Sequence, residues 1–142
     1  MVSKNKKGNK VEIEVENILK LQDYAVMRSP RIFTHIGYHK YISKDNDYFN
    51  LFDIVAKKSG YCRWIQIKSN ACNVSRVKKP IANFADSYGT KICDTFEIWL
   101  RVKRMGFVVY EYNMYGSIWL KSYLNIQGEE CDDFNILQGG RK

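Results

Sequence analysis

Asp53, Gln66 and Lys68 are the residues whose types and spacing most directly suggest chemistry. They lie on two runs, Leu51–Lys58 and Tyr61–Lys68, which are rich in β-branched and aromatic residues and are joined by Ser59-Gly60. A two-residue Ser-Gly turn sets Lys58 against Tyr61, and counting back along both arms puts Asp53 opposite Gln66. Opposed antiparallel residues share a face with Cβ atoms roughly 5 Å apart, and Lys68 projects from that same face. A four-residue loop keeps this pairing, whereas an odd-length loop shifts the register and separates the three groups. The other face, with Phe52, Ile54, Ile65 and Ile67, is expected to enter the core.

A carboxylate beside an amide oxygen and a lysine suits phosphodiester hydrolysis, in which a hard divalent cation grips the phosphate and activates water. Oxygen donors favour Mg²⁺, and a nearby lysine can orient or deprotonate the attacking water or offset the developing negative charge. One more carboxylate is needed. The segment Lys10–Gln22 carries Val11, Val15, Ile18 and Leu19 at i, i+4, i+7 and i+8, the apolar stripe of an amphipathic helix. At about 100° per residue Glu12 and Glu14 flank that stripe on opposite sides, while Glu16 points further out. Periodicity leaves Glu12 and Glu14 as open alternatives.

The elements that must hold these groups follow from the pattern on either side. Tyr24–Arg28 reads as a short strand stopped by Ser29-Pro30, because proline withholds a ladder donor. The stretch Ile32–Asn50 has mixed polarity, and Lys44-Asp-Asn-Asp47 reads as a loop whose Asx side chains bond their own backbone. Ser69–Val77 is polar and expected as loop. Lys78–Tyr88 has Ile81, Phe84, Ala85 and Tyr88 at helical spacing, with Pro80 in the first turn and Gly89 as C-cap. Phe96–Lys103 and Phe107–Tyr112 read as strands around Met105-Gly106, and Ser117–Lys121 extends them into a meander.

At 142 residues, 45% of them hydrophobic, the chain suits one domain over 1–142 with a single core. Twenty-three Lys and Arg against fifteen Asp and Glu give a net charge of +8, which favours a polyanionic partner, with nucleic acid ahead of an anionic membrane surface. No run approaches the ~20 apolar residues of a spanning helix and the first residues lack the apolar stretch of a secretion signal, so a cytosolic protein without a membrane partner is expected. Residues 1–10 carry Lys4, Lys6, Lys7 and Lys10 and read as a basic arm that is mobile until phosphate neutralises it; 128–142, with its acids Glu129–Asp133, reads as a surface tail. Cys62, Cys72, Cys93 and Cys131 form no C-x-x-C pair and read as reduced thiols. His35 and His39 have i, i+4 spacing but lie in a strand-and-loop segment without companion ligands, which argues against a zinc site.

The sequence resembles the PD-(D/E)XK nuclease superfamily, and within it most closely the archaeal Holliday-junction resolvases. Lys7-Gly8 followed by Val11-Glu12-Ile13-Glu14 resembles the basic-glycine start of a helix bearing the first catalytic glutamate. Tyr24–Ser29 resembles the next strand with its functional arginine, Asp53 the metal-binding aspartate, and Ile65-Gln66-Ile67-Lys68-Ser69 the hydrophobic-E-V-K-S strand. Roughly the first three quarters of the chain takes part. The resemblance selects Glu12 over Glu14, implies Glu12, Asp53, Gln66 and the Ile67 carbonyl as metal ligands, and makes Lys68 the catalytic lysine. By the same route Arg28 contacts the backbone near the scissile phosphate, for which its bidentate fork is well shaped. Gln66 stands where the family has an acid, Phe52 where it often has a small residue or proline, and Ile13 where an arginine is usual beside the helix glutamate. Some superfamily members, including the nuclease subunit of certain bacterial transposons, use Q-x-K actively.

The expected fold is therefore α/β, a restriction-endonuclease-like core with a mixed, largely antiparallel central sheet flanked by helices. The expected function is a Mg²⁺- or Mn²⁺-dependent endonuclease on branched DNA, a homodimeric Holliday-junction resolvase of DNA recombination with no small-molecule cofactor. The DNA-contact candidates are Lys6, Lys7, Arg28, Arg31, Lys57, Lys58, Ser69, Arg76, Lys78 and Lys79. Two alternatives share the site: a nuclease-fold DNA-binding protein that has lost catalysis, with Gln66 as the trace, and a restriction- or transposon-type duplex endonuclease.

Overall fold

The computed structural model describes residues 4–29, 31–37, 40–45, 47–49 and 51–134, with side chains outside the description at 4–9, 31–37 and 40–45. Helix α1 (Lys4–Leu21) is followed by strands β1 (Ala25–Arg28), β2 (Arg31–Gly37), β3 (Lys40–Asp45), β4 (Ile54–Lys58) and β5 (Tyr61–Lys68). Helix α2 (Ala71–Tyr88) then leads to β6 (Asp94–Val102), β7 (Gly106–Asn113) and β8 (Ile118–Leu124). Six strands form one sheet in the order β1-β4-β5-β6-β7-β8, and β2 and β3 pair apart from it. Within the sheet β5 and β6 run parallel, because α2 carries the chain back between them; the other neighbours are antiparallel. The α/β class with a mixed sheet flanked by helices is the one expected from the sequence.

Alternation along the strands sends side chains to two cores. Ile54, Ala56, Ile65, Trp99, Phe107 and Val109 pack against Val11, Val15, Ile18 and Leu19 of α1. The opposite parity, Phe96, Ile98, Leu100 and Val108, packs against Val74, Ile81 and Ala85 of α2. Among the described residues no helix is long and apolar enough to cross a membrane.

The β4–β5 hairpin has the register read from its sequence, with Lys58↔Tyr61 at the turn and Ile54↔Ile65 as the last pair. Ser59 (φ 50°) and Gly60 (φ 86°) both have positive φ, the requirement of a type I′ turn, whose twist matches that of the strands. Phe52 departs from the expectation. It belongs to the α2 core while Ile54 and Ile65 face α1. Regular alternation breaks at Asp53, after a turn in which Tyr48 and Phe52 exchange backbone hydrogen bonds at 2.8 and 3.0 Å.

Several boundaries differ from the sequence reading. Helix α1 begins at Lys4, so most of the segment expected as a mobile arm is helix. Helix α2 begins at Ala71, in the stretch expected as loop: Asn70 is its N-cap and accepts the Cys72 N–H at 3.2 Å, which supplies the start signal that the polar 71–77 stretch obscures. Pro80 therefore lies in the helix interior, where the intrahelical bond it withholds is one to the carbonyl of exposed Arg76. The 32–50 stretch holds strands β2 and β3, and Lys44 and Asp45 of the expected loop belong to β3. In the 128–134 stretch Glu129, Glu130 and Asp132 are exposed, as a surface tail would have them, but Gly128 and Phe134 are buried. Phe134 is buried in the α2 core, and Gly128 packs against Ile18 of α1 so closely that a Cβ there would meet its side chain. His39 and residues 135–142 lie outside the described residues.

Candidate active site

The ladder between β4 and β5 stops at Ile54↔Ile65, and the notch beyond it, at the C-terminal end of β5, holds the polar groups. A cavity of about 220 Å³ there is lined by Val11, Glu12, Asp47, Asp53, Gln66, Ile67, Lys68 and Ser69. Glu12, Asp53, Gln66 and Lys68 are thus brought together, and Glu14 is not: it turns to Arg101, which donates to its carboxylate at 2.9 Å. Asp47 was missed by the sequence reading. Its one signal was an Asx-rich loop six residues before Asp53, and only the Tyr48–Phe52 turn folds it back onto the site.

Asp53 is almost fully buried, at 8% exposure, and its backbone is fixed on both sides. Its N–H donates to the Ile65 carbonyl at 2.9 Å and its carbonyl accepts from Ser29 N–H at 2.8 Å, which ties it to the end of β1. One carboxylate oxygen accepts the Ile67 N–H at 2.8 Å. In a strand the N–H and C=O of one residue point the same way, so the Ile67 carbonyl also opens toward the notch. Burial, then the neighbouring Asp47 carboxylate, push the Asp53 carboxyl up to about 8; Glu12 adds a smaller push and the Ile67 N–H opposes it. Ser29 Oγ donates to Asp47 Oδ1 at 3.4 Å.

Gln66, at 6% exposure, is the second buried polar group. With its amide turned so that nitrogen meets acceptor and oxygen meets donor, it donates to the Leu51 carbonyl and accepts from Lys68 Nζ at 3.1 Å. A carboxylate could not make the first of these bonds. Arg28, whose carbonyl accepts from Tyr48 Oη at 3.0 Å, lies against the middle of α1: its guanidinium is 3.8 Å from Glu12 and 3.3 Å from Glu16. It stands beside the site and is already engaged with carboxylates.

The donors gathered here are oxygens, a set suited to Mg²⁺ or Mn²⁺ rather than to a soft metal. Among the described residues no three His, Cys, Asp or Glu side chains already form a ligand group. Glu12, Asp47 and Asp53 are the carboxylates that line the cavity, Glu12 with the Arg28 guanidinium 3.8 Å away, and the Gln66 oxygen and Ile67 carbonyl are the remaining oxygens.

The basic candidates separate. Ser69 lines the cavity, and Arg76 and Lys79 are exposed on α2, which starts just beyond it. Lys78 is turned to the sheet, its Nζ 4.7 Å from the Tyr110 ring centre and 5.9 Å from that of Trp119. Lys57 and Lys58 do not surround the site: they sit at the turn end of the hairpin, roughly 16 Å along the strand from Asp53, and Lys58 donates to the Gln22 carbonyl at 2.8 Å. Lys6, Lys7 and Arg31 have described backbone only, in α1 and β2.

A larger cavity, of about 570 Å³, lies near the C-terminal end of α1 around Tyr24, Arg63, Glu97 and Glu111. Arg63 and Glu97 form an ion pair there. Arg63 grips Glu97 with two hydrogen bonds, at 2.8 and 2.6 Å, and Thr95 and Trp99 donate to the same carboxylate at 2.7 and 3.0 Å. Burial pushes the Glu97 carboxyl up, but these donors outweigh it and hold it below the usual range. No protein-family model matches the chain, and comparison with curated proteins gives no match.

Proposed function

We propose that the chain is a divalent-cation-dependent endonuclease that hydrolyses DNA phosphodiester bonds, acting as a homodimer on four-way junctions. The observation that carries this reading is the buried Asp53 carboxyl, set among Glu12, Asp47, Gln66 and Lys68 around one notch at the end of β5. A bound Mg²⁺ or Mn²⁺ would supply Lewis-acid stabilisation of the phosphate and a more acidic water. Asp53, Glu12, the Gln66 oxygen and the Ile67 carbonyl are the donors that would hold it. Lys68 orients the attacking water and offsets negative charge, and Arg28 exchanges a carboxylate for the phosphate backbone. The net charge of +8 fits a polyanionic substrate. The junction and the dimer rest on the resolvase resemblance. Purified protein with Mn²⁺ should nick labelled junction DNA, and Asp53→Ala and Lys68→Ala should abolish the activity; equal cleavage by both variants refutes the site. Comparing junction with linear duplex separates a resolvase from a duplex endonuclease.

A second reading, a DNA-binding protein without turnover, is favoured by Gln66 alone, whose amide is tied between Leu51 and Lys68. It predicts salt-sensitive binding with no metal-dependent cleavage, and cleavage appearing only in Gln66→Glu.

A further inference from the structure

We infer that Asp47 is a ligand of the same cation site, supplying the negative charge that Gln66 withholds; this rests on the nuclease reading. With a neutral glutamine in the β5 strand, Glu12 and Asp53 are the only charged donors among the residues the sequence points to, and Glu12 is shared with the Arg28 guanidinium. Asp47 lines the same cavity as Asp53, and its negative charge bears on the Asp53 carboxyl. A cation held between carboxylates that share one cavity relieves the repulsion between them. Nothing about the placement is incidental to the fold. The paired backbone bonds of Tyr48 and Phe52 close the turn that follows Asp47, Tyr48 Oη is anchored on the Arg28 carbonyl, and Ser29 Oγ holds Asp47 Oδ1. The same short segment at the end of β1 that fixes the Asp53 backbone therefore also fixes Asp47. The neutral Gln66 and the added Asp47 together leave the site with three carboxylates, the number that an acid at position 66 would have given without Asp47. Glu12, Asp47 and Asp53 would together hold the cation, which keeps several of its own waters.

The test is titration calorimetry of Mn²⁺ into the full chain without DNA, alongside circular dichroism of each variant. Asp47→Asn should weaken Mn²⁺ binding about tenfold or more, as Asp53→Asn does, whereas Asp47→Glu, which keeps the charge, should stay within about threefold of the parent. Unchanged affinity in Asp47→Asn with loss in Asp53→Asn overturns the role of Asp47 and leaves the nuclease reading standing. Equal loss in Asp47→Asn and Asp47→Glu overturns the charge argument. Absence of Mn²⁺ binding by the parent chain overturns both.

Discussion

Replacing Asp53 by asparagine should make the cation-free protein more stable while removing its activity. The ordinary pKa of the Asp53 carboxyl is 3.8, and in the folded chain burial and Asp47 raise it to about 8. The unfolded chain loses that proton above about pH 4 while the native protein holds it up to about pH 8, so the native state binds more protons across this window and stability falls as pH rises through it. A tenfold difference in proton affinity between the two states is worth about 1.36 kcal/mol, which sets the loss by pH 8 at up to about 5 kcal/mol. Asparagine is neutral throughout, similar in shape to the protonated acid, and keeps an oxygen for the Ile67 N–H. Urea denaturation with a chelator at several pH values between 5 and 8 measures the difference directly. The parent's unfolding free energy should fall relative to that of Asp53→Asn by roughly 2–4 kcal/mol from pH 5 to pH 8. Parallel pH profiles would refute the placement of Asp53 in a buried, like-charged pair. Mg²⁺ should reduce the gap, since a ligand bound only by the native parent stabilises it.

Arg63→Met should cost about 3–5 kcal/mol in denaturant melts, because it leaves the Glu97 carboxylate buried without its fork. Gly89→Ala should lower stability by about 1–3 kcal/mol, since a Cβ there would stand 2.6 Å from the Ala85 carbonyl oxygen and from the Phe96 ring; an unchanged melting temperature would contradict that packing. Glu12→Gln should abolish nicking whereas Glu14→Gln, which loses only the partly buried pair with Arg101, should cleave at the parent rate in the same assay.

The hairpin that carries Asp53, Gln66 and Lys68 was legible because turn chemistry and alternation agree: Ser59-Gly60 admits positive φ at both positions, and the register follows by counting. Glu12 was not legible from periodicity, since Glu12 and Glu14 flank the stripe alike; what separates them is tertiary, Arg101 on one side and the notch on the other. The start of α2 was hidden because its first turns bury only Val74, and the Asn70 cap stands among other polar residues. Asp47 was hidden for a different reason. Its approach to Asp53 depends on a turn closed by backbone bonds of Tyr48 and Phe52, and backbone pairing leaves no pattern of residue types. Phe52 broke its expected alternation at the same place, so the irregularity that defeats the strand pattern is also what opens the site.

The most direct test of the nuclease reading is a time course of labelled four-way junction DNA with the parent chain, Asp53→Ala and Lys68→Ala, each with Mn²⁺ and with chelator. The predicted result is paired nicks near the branch point with the parent and Mn²⁺ alone, and none with either variant or with chelator. Binding of the junction by a folded parent protein without any cation-dependent nick would contradict it.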